Sequence, residues 1–249
     1  MLKILGVSIS GYYAWIKRVP SQRQKQTELT KQAIKEVYDE SKSIYGAPKI
    51  HHQLRQKGIQ ASKRTVGVYM RQMDIKAHYR AKTTRTTINS DLTSKLTNIV
   101  DRNFKTERPN AIWVTDITYI WTRYDRFVYL TSVMDLYSRK IIAWTMTETL
   151  EVSCVTNCIQ KAKRARKLDQ PLIIHSDRGS HYISEAYQKL FDQNMSRSYS
   201  KKGDTWDNAC MESFHAIIKR EWLKRFDILN LPHARSLVFE YIEAFYNTT

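Results

Sequence analysis

Three acidic residues stand in settings where an acid needs a reason. Asp116 lies in the middle of Ala111-Ile112-Trp113-Val114-Thr115-Asp116-Ile117-Thr118-Tyr119-Ile120-Trp121, a segment rich in the β-branched and aromatic residues of strands. Strand alternation puts it on the face of Ile112 and Val114, where a lone charge is costly unless it is paired or binds a cation. Asp177 follows the apolar run Pro171-Leu172-Ile173-Ile174-His175, in His175-Ser176-Asp177-Arg178-Gly179-Ser180. Open α/β sheets bind ligands at the carboxyl ends of their strands. Glu212 lies in Asp207-Asn208-Ala209-Cys210-Met211-Glu212-Ser213-Phe214-His215, which reads as the start of a long helix over 207–225. Each acid has a plainer reading: a cap after a strand for Asp177, a wet helix face for Glu212. Together, three carboxylates from two strands and a helix supply the oxygen donors that two hard cations require. Two ions about 4 Å apart can activate an attacking oxygen and stabilise a leaving one in phosphodiester chemistry. Without cations, the three carboxylates repel one another.

The neighbours of these acids carry further expectations. On a helical wheel, Cys210, Phe214, Ile217, Ile218 and Trp222 form an apolar stripe, with Asn208, Glu212, His215 and Lys219 opposite. Asn208 is placed to orient the Glu212 carboxylate or a bound water. Lys219 lies roughly 10 Å beyond Glu212, within reach of a nucleic-acid phosphate. His175 and His215 are candidates for proton transfer or for plain structural roles. Asp207 is expected to cap the long helix, and Asp135 to serve a hairpin turn.

The chain has 249 residues and a formal net charge of +17, which points to a polyanionic partner. Charge alone does not separate DNA from RNA or from a membrane surface. No apolar run approaches the ~20 residues of a membrane helix, and the N-terminus lacks a signal-peptide apolar region. Cys154, Cys158 and Cys210 give no disulfide framework, so a reducing cytoplasm is expected. Cys154 and Cys158 lack a second ligand pair and read as packing residues.

Four regions are expected: a leader, 1–29; a helical DNA-binding domain, 30–80; a basic linker, 81–102; and an α/β domain of mixed sheet order, 103–249. In the helical domain, a first helix runs from about Thr30 to Ser41 and a second carries Pro48, Ile50 and Leu54 and stops at Gly58. Ser62 caps a third helix with Val66, Tyr69 and Met70 inward. Helix, glycine turn, helix is the helix-turn-helix pattern, and Lys63, Arg64 and Arg71 suit a recognition helix. The alternative is a plain helical interaction domain with a solvated basic face; the charge of the whole chain favours DNA binding. No core is expected in 80–98. The α/β domain begins with three antiparallel strands and continues with a helix over 149–166, the strand before Asp177 and a helix over 184–193.

The three acidic strings, with Leu5-Gly6-Val7-Ser8, Gly11-Tyr12-Tyr13 and Tyr45-Gly46-Ala47-Pro48, resemble the second-frame product of the two-frame bacterial insertion sequences, the insertion sequence three family. The resemblance spans nearly the whole chain. It implies an integrase-like catalytic core of ribonuclease-H-like fold and an acidic triad of Asp116, Asp177 and Glu212. It further implies magnesium as the usual ion, two per site, with manganese able to substitute. The implied partners are double-stranded DNA at transposon ends and target, further copies of the chain, and the upstream first-frame protein, in the bacterial cytoplasm at the nucleoid. Arg178, beside Asp177, joins the expected DNA contacts. The 34 residues between Asp177 and Glu212 are one fewer than the family's usual spacing, and the shortfall is expected in a loop between Phe191 and Ser200. The family pattern also runs beyond Asn247 with a basic, histidine-containing segment, so the core is expected to be cut short here. The expected activity is metal-dependent strand cleavage and strand transfer. The alternatives are a DNA-binding regulator that does not cut and a plain nuclease that does not join.

Overall fold

The computed structural model describes residues 6, 8–17, 19–77, 96–201 and 205–248. The chain divides into two compact units, 1–78 and 79–249. In the first, α1 (Ile9–Ile16) buries no side chain. Three further helices, α2 (Gln22–Glu40), α3 (Ala47–Gln56) and α4 (Lys63–Gln72), pack around Ile34, Val37, Ile50, Leu54, Val66 and Met70. The helix expected from Thr30 starts at Gln22 instead, so much of the supposed leader belongs to it. Ser21 and Gln24 close a capping box there. The first two turns expose nearly every side chain, so the apolar spacing that marks the rest is missing. The turn between α3 and α4 forms as expected. Gly58 adopts φ +76°, and the Ile59 amide donates to the Leu54 carbonyl at 2.9 Å, which closes α3 with a left-handed glycine. Ser62 caps α4 by accepting from the Thr65 amide.

The second unit holds a five-stranded sheet of order β3-β2-β1-β4-β5: β1 (Ile112–Thr122), β2 (Arg126–Asp135), β3 (Ile141–Thr147), β4 (Leu172–Ser176) and β5 (Met195–Tyr199). The first three strands form the expected antiparallel meander, while β4 and β5 run parallel to β1. This is the mixed α/β sheet expected of a ribonuclease-H-like core. On one face, α5 (Val152–Ala165), α6 (Ser180–Ile183) and α7 (Glu185–Gln188) close a core of Trp113, Val133, Val155, Ile159, Ile174, Tyr182 and Tyr187. On the other, α8 (Ala209–Glu221) lies along β1, and α9 (Leu231–Tyr241) meets β1 and β3.

Three expectations change here. The segment 191–200 is no loop, because it contains β5. Its strand character is masked by serines: Ser198 is fully buried, and its hydroxyl accepts the Ile99 and Val100 amides at 2.9 and 3.2 Å. A one-residue shortening inside β5 would flip every later side chain to the other face, which leaves the turn before it or the segment after it to absorb the shortfall. The helix expected over 184–193 is only α7, because Ser184 ends α6 and caps α7 afresh, accepting from the Tyr187 amide. The end of the expected linker belongs to the core. The Tyr199 amide donates to the Thr97 carbonyl at 3.0 Å, and Val100 is buried. The rest of the linker, 81–95, lies outside the described residues, as do 78–80. No helix among the described residues is long and apolar enough to cross a membrane.

Candidate active site

The three acids come from three elements, near enough for the charges of Asp116 and Glu212 to act on Asp177. Asp116 is mid-β1, paired with Ser132 across β2. Asp177 leaves the end of β4, one residue past Ser176. Glu212 lies in the first turn of α8. The Asp177 carboxylate reaches solvent, yet the protein around it removes much of its hydration. This burial, then the charge of Asp116 and more weakly that of Glu212, pushes its carboxyl up to about 6. The Gly179 amide, 2.9 Å away, donates to it in compensation, and His181 offsets the rise further. The direction is as expected: burial and like charges disfavour the ionised form, and a single amide donor compensates only in part. Among the described residues, no three His, Cys, Asp or Glu side chains are gathered into a coordination shell. The carboxylates act on one another electrostatically without converging. The donor set is all oxygen and strained by its own charge, which suits hard divalent cations such as magnesium.

The surroundings are more enclosed than the helical wheel suggests. His215 is buried, not on a wet face; its Nδ1 lies 3.4 Å from Asp116 Oδ2, where the two side chains are 6% and 18% exposed. Its Nε2 lies 3.3 Å from Ser132 Oγ. Lys219 is half-buried, with Nζ 4.4 Å from the centre of the Tyr119 ring. Burial pushes its ammonium down to about 8, against the opposing pull of Asp116. Glu212, His215 and Lys219 therefore share the side of α8 that packs toward β1, because β1 offers them a carboxylate and a ring instead of water. Asn208 Nδ2 donates to the Thr115 carbonyl at 3.3 Å, which ties the turn before α8 to the residue next to Asp116. The buried Asn208 Oδ1 has no hydrogen-bond partner.

Tyr182 forms the floor, a position that sequence reasoning misses. It is fully buried, 3.3 Å from Thr115 Oγ1. Burial and the charges of Asp116 and Asp177 raise its phenol well above the ordinary range. An aromatic five residues after Asp177 is the only sequence signal for it.

Other expected residues lie apart from this cluster. Asp207 does not cap α8; its N-cap is Asn208, with no side-chain bond. Asp207 is buried beneath the chain at 98–102 instead, accepting from Asn98 Nδ2 at 2.8 Å, Arg102 Nε at 2.9 Å and the Lys201 amide at 2.6 Å. Burial opposes its charge, but the Lys201 amide and Arg102 outweigh it and hold the carboxyl below its ordinary value. His175 is fully buried and bonded to Ser198 and Ser200; burial lowers its pKa and keeps it neutral. The Arg178 guanidinium turns inward, donating to the Ser200 carbonyl at 2.7 Å and the Leu96 carbonyl at 3.3 Å. Asp135 staples its turn, accepting from the Ser138 amide and hydroxyl. Cys154 and Cys158 are buried packing residues. In the helical unit, Lys63, Arg64 and Arg71 are exposed, and Arg71 Nε donates to the Gly67 carbonyl.

Comparison with known proteins agrees with this architecture. Residues 106–204 match the integrase core domain family, residues 193–249 match a second integrase core domain family, and residues 24–83 match an HTH-like domain. The chain is 34% identical over 240 residues to a transposase for the insertion sequence element IS904 of Lactococcus lactis, covering 93% of this chain and 91% of that one. It is 32% identical over 250 residues to the transposase InsF of insertion sequence IS3A of Escherichia coli, covering 99% and 86%. The IS600 31 kDa protein of Shigella sonnei is 32% identical over 248 residues, covering 99% and 91%. Among solved structures, the catalytic core of HTLV-2 integrase in complex with magnesium superposes with TM-score 0.42 at 18% identity, over 55% of this chain and 87% of that one. The catalytic domain of Mos1 mariner transposase superposes with TM-score 0.43 at 13% identity, over 55% and 72%. With integrase-core matches running from residue 106 to the last residue and near-full-length identity to insertion-sequence transposases, the chain belongs to the IS3 family of bacterial insertion-sequence transposases.

Proposed function

We propose that this chain cuts a DNA strand at the ends of its own element and joins the freed 3′ hydroxyl to a second phosphodiester, using Asp116, Asp177 and Glu212. The observation that supports this is the electrostatic coupling of carboxylates from β1, the end of β4 and α8, with Asp177 pushed up to about 6 by burial and by its acidic neighbours. Asp116 and Asp177 would hold one divalent cation and Asp116 and Glu212 a second, magnesium or manganese. Such ions supply Lewis acidity at the attacking and leaving oxygens. His215 holds the Asp116 carboxylate from behind, as partners of metal-binding carboxylates do, and Asn208 fixes the approach of α8. Tyr182 excludes water from beneath. Lys219 supplies positive charge for the strand's phosphates. Lys63, Arg64 and Arg71 present a basic helix to duplex DNA, and several copies bring two ends together.

The test is a strand-transfer assay with the element's own ends, with and without divalent ion. Ion-dependent cutting and joining support the reading. Cutting without joining makes the protein a nuclease. Binding with neither makes it a regulator of transposition.

A further inference from the structure

β1 outruns β4: on that side only Ile112, Trp113 and Val114 are paired. Beyond them, β1 and β2 continue as a hairpin to Thr122 and Arg126. Alternation puts Tyr119 and Trp121 on the face that, nearer the base, Trp113 and Ile117 present to the core under α5. Here the cover stops. Tyr119 is 56% exposed, Trp121 58% and Phe127 45%. Phe127 stands opposite Trp121 and packs edge-on against both other rings, with centroids 5.2 Å from Tyr119 and 5.0 Å from Trp121. Edge-on packing braces the rings, and Trp121 remains the most exposed of the three. An exposed cluster of large aromatics is a liability in water and marks an interaction surface.

The charge around the rings chooses the partner. Lys219 lies over Tyr119, Arg126 is exposed at the hairpin turn, and the chain carries +17. A second copy would bring like charge onto like charge. A nucleic acid would not, and open rings flanked by cations are how proteins hold unpaired bases. A duplex hides its base faces, so the ligand must present them. Trp121 lies five residues along β1 from Asp116, roughly 16 Å.

We propose that the aromatic face of the β1–β2 hairpin is a stacking platform for the unpaired bases of a DNA strand at a cut or frayed end. The choice of DNA over RNA rests on the transposase reading. The test uses the full chain without divalent ion, and anisotropy of a labelled oligothymidine of about 16 nucleotides beside a blunt duplex of equal length. Trp121→Ala should weaken single-strand binding about tenfold, Phe127→Ala less, and Trp121→Phe should restore most of the loss. Duplex binding should not change. Wild-type single-strand affinity in a folded Trp121→Ala protein overturns the proposal, and so does an equal loss on both ligands. A concentration-dependent dimer that Trp121→Ala abolishes, with oligonucleotide binding intact, overturns it in favour of a second copy. One measurement needs no variant: 2-aminopurine in the oligonucleotide should be quenched when the wild-type protein binds, and binding without quenching overturns the platform. Ion-dependent cutting of duplex ends is scored separately, so its failure would sink the transposase reading and leave the stacking result standing.

Discussion

Asp207 and Asp177 show two ways for this core to carry a negative charge. Asp207 is wholly buried, but three donors meet it and its carboxyl is held below the ordinary value. Asp177 reaches solvent, but it has one donor and two acidic neighbours, and its carboxyl is held high. Burial opposes the charge at both. The difference lies in the partners. Asp207 is a completed structural joint between the 98–102 segment and α8. Asp177 has one amide donor against burial and two acidic neighbours, so its charge is left only partly compensated.

The largest effects should come from separating these roles. Asp116→Asn, Asp177→Asn and Glu212→Gln should each cut strand cleavage by at least about a thousandfold, the several kcal/mol that cation-assisted phosphoryl chemistry supplies. End binding and thermal midpoint should be retained. Near-normal cleavage by any one variant removes that residue from the site. Asp207→Ala should do the reverse. It removes the buried acceptor of Arg102, Asn98 and the Lys201 amide, and should cost roughly 2–3 kcal/mol of stability, below the usual loss for a buried pair because Arg102 is half exposed. Denaturant titration reads the loss. A variant as stable as the wild type would make Asp207 no joint at all.

The acids themselves are legible in the sequence because each breaks a pattern: a charge inside a strand, a charge after an apolar run, an acid beside a helix start. Partnership is not legible. Glu212, His215 and Lys219 read as a wet stripe, because a wheel knows polarity but not that β1 will place Asp116 and Tyr119 beneath it. Asp207 reads as a cap, because Asn98 and Arg102 are a hundred residues away in the chain. β5 hides behind an exposed Ser196 and a buried Ser198 whose hydroxyl accepts two backbone amides, which leaves no apolar alternation. The start of α2 hides because its first turns bury almost nothing. The helix-turn-helix is the reverse case. Its glycine stop, serine cap and apolar spacing are all local, and all form where the sequence puts them.

Lys219 sharpens the comparison from the side of positive charge. It is a cation near Asp116 and is itself half-buried, so removing its charge should matter to DNA and little to the fold. Lys219→Glu should weaken end binding and strand transfer about tenfold, the scale of a lost and inverted ion contact near a surface. With its ammonium pushed down to about 8, the charge is present at pH 7 and lost as pH rises through about 8. Strand transfer should therefore decline above that point, and Lys219→Arg should flatten the decline. A wild-type profile that is flat from pH 7 to 9 would show that this ammonium does not meet the substrate.

The smallest effect is the most direct measure of the two carboxylates. In metal-free protein, folded Asp177 keeps its proton up to about 6, whereas an unfolded aspartate releases it near 4. The folded state then binds more protons across that window, so Asp177's contribution to stability is full below about pH 4 and is lost as pH rises through about 6. Because the side chain reaches solvent, screening reduces the effect to on the order of 1 kcal/mol, or about 2–4 °C in thermal midpoint. Asp207 has the opposite sign and lies outside the window: its carboxyl is held below the ordinary value, so its contribution is kept above about pH 4 and lost on acidification below it. His175 also opposes Asp177, and inside the window. Burial lowers its pKa, so acidification below about 6.5 protonates the unfolded chain first and destabilises the fold. The raw profile is therefore a sum of opposing terms, and the useful quantity is the difference between wild type and Asp177→Asn. That difference should favour the variant progressively from pH 4 to 7 in chelator and shrink when magnesium is added, because the ion offsets the repulsion that the variant removes by chemistry. A difference that is flat with pH would mean that Asp177 is not held high in the folded protein, and one unmoved by magnesium that its acidic neighbours do not bind the ion with it.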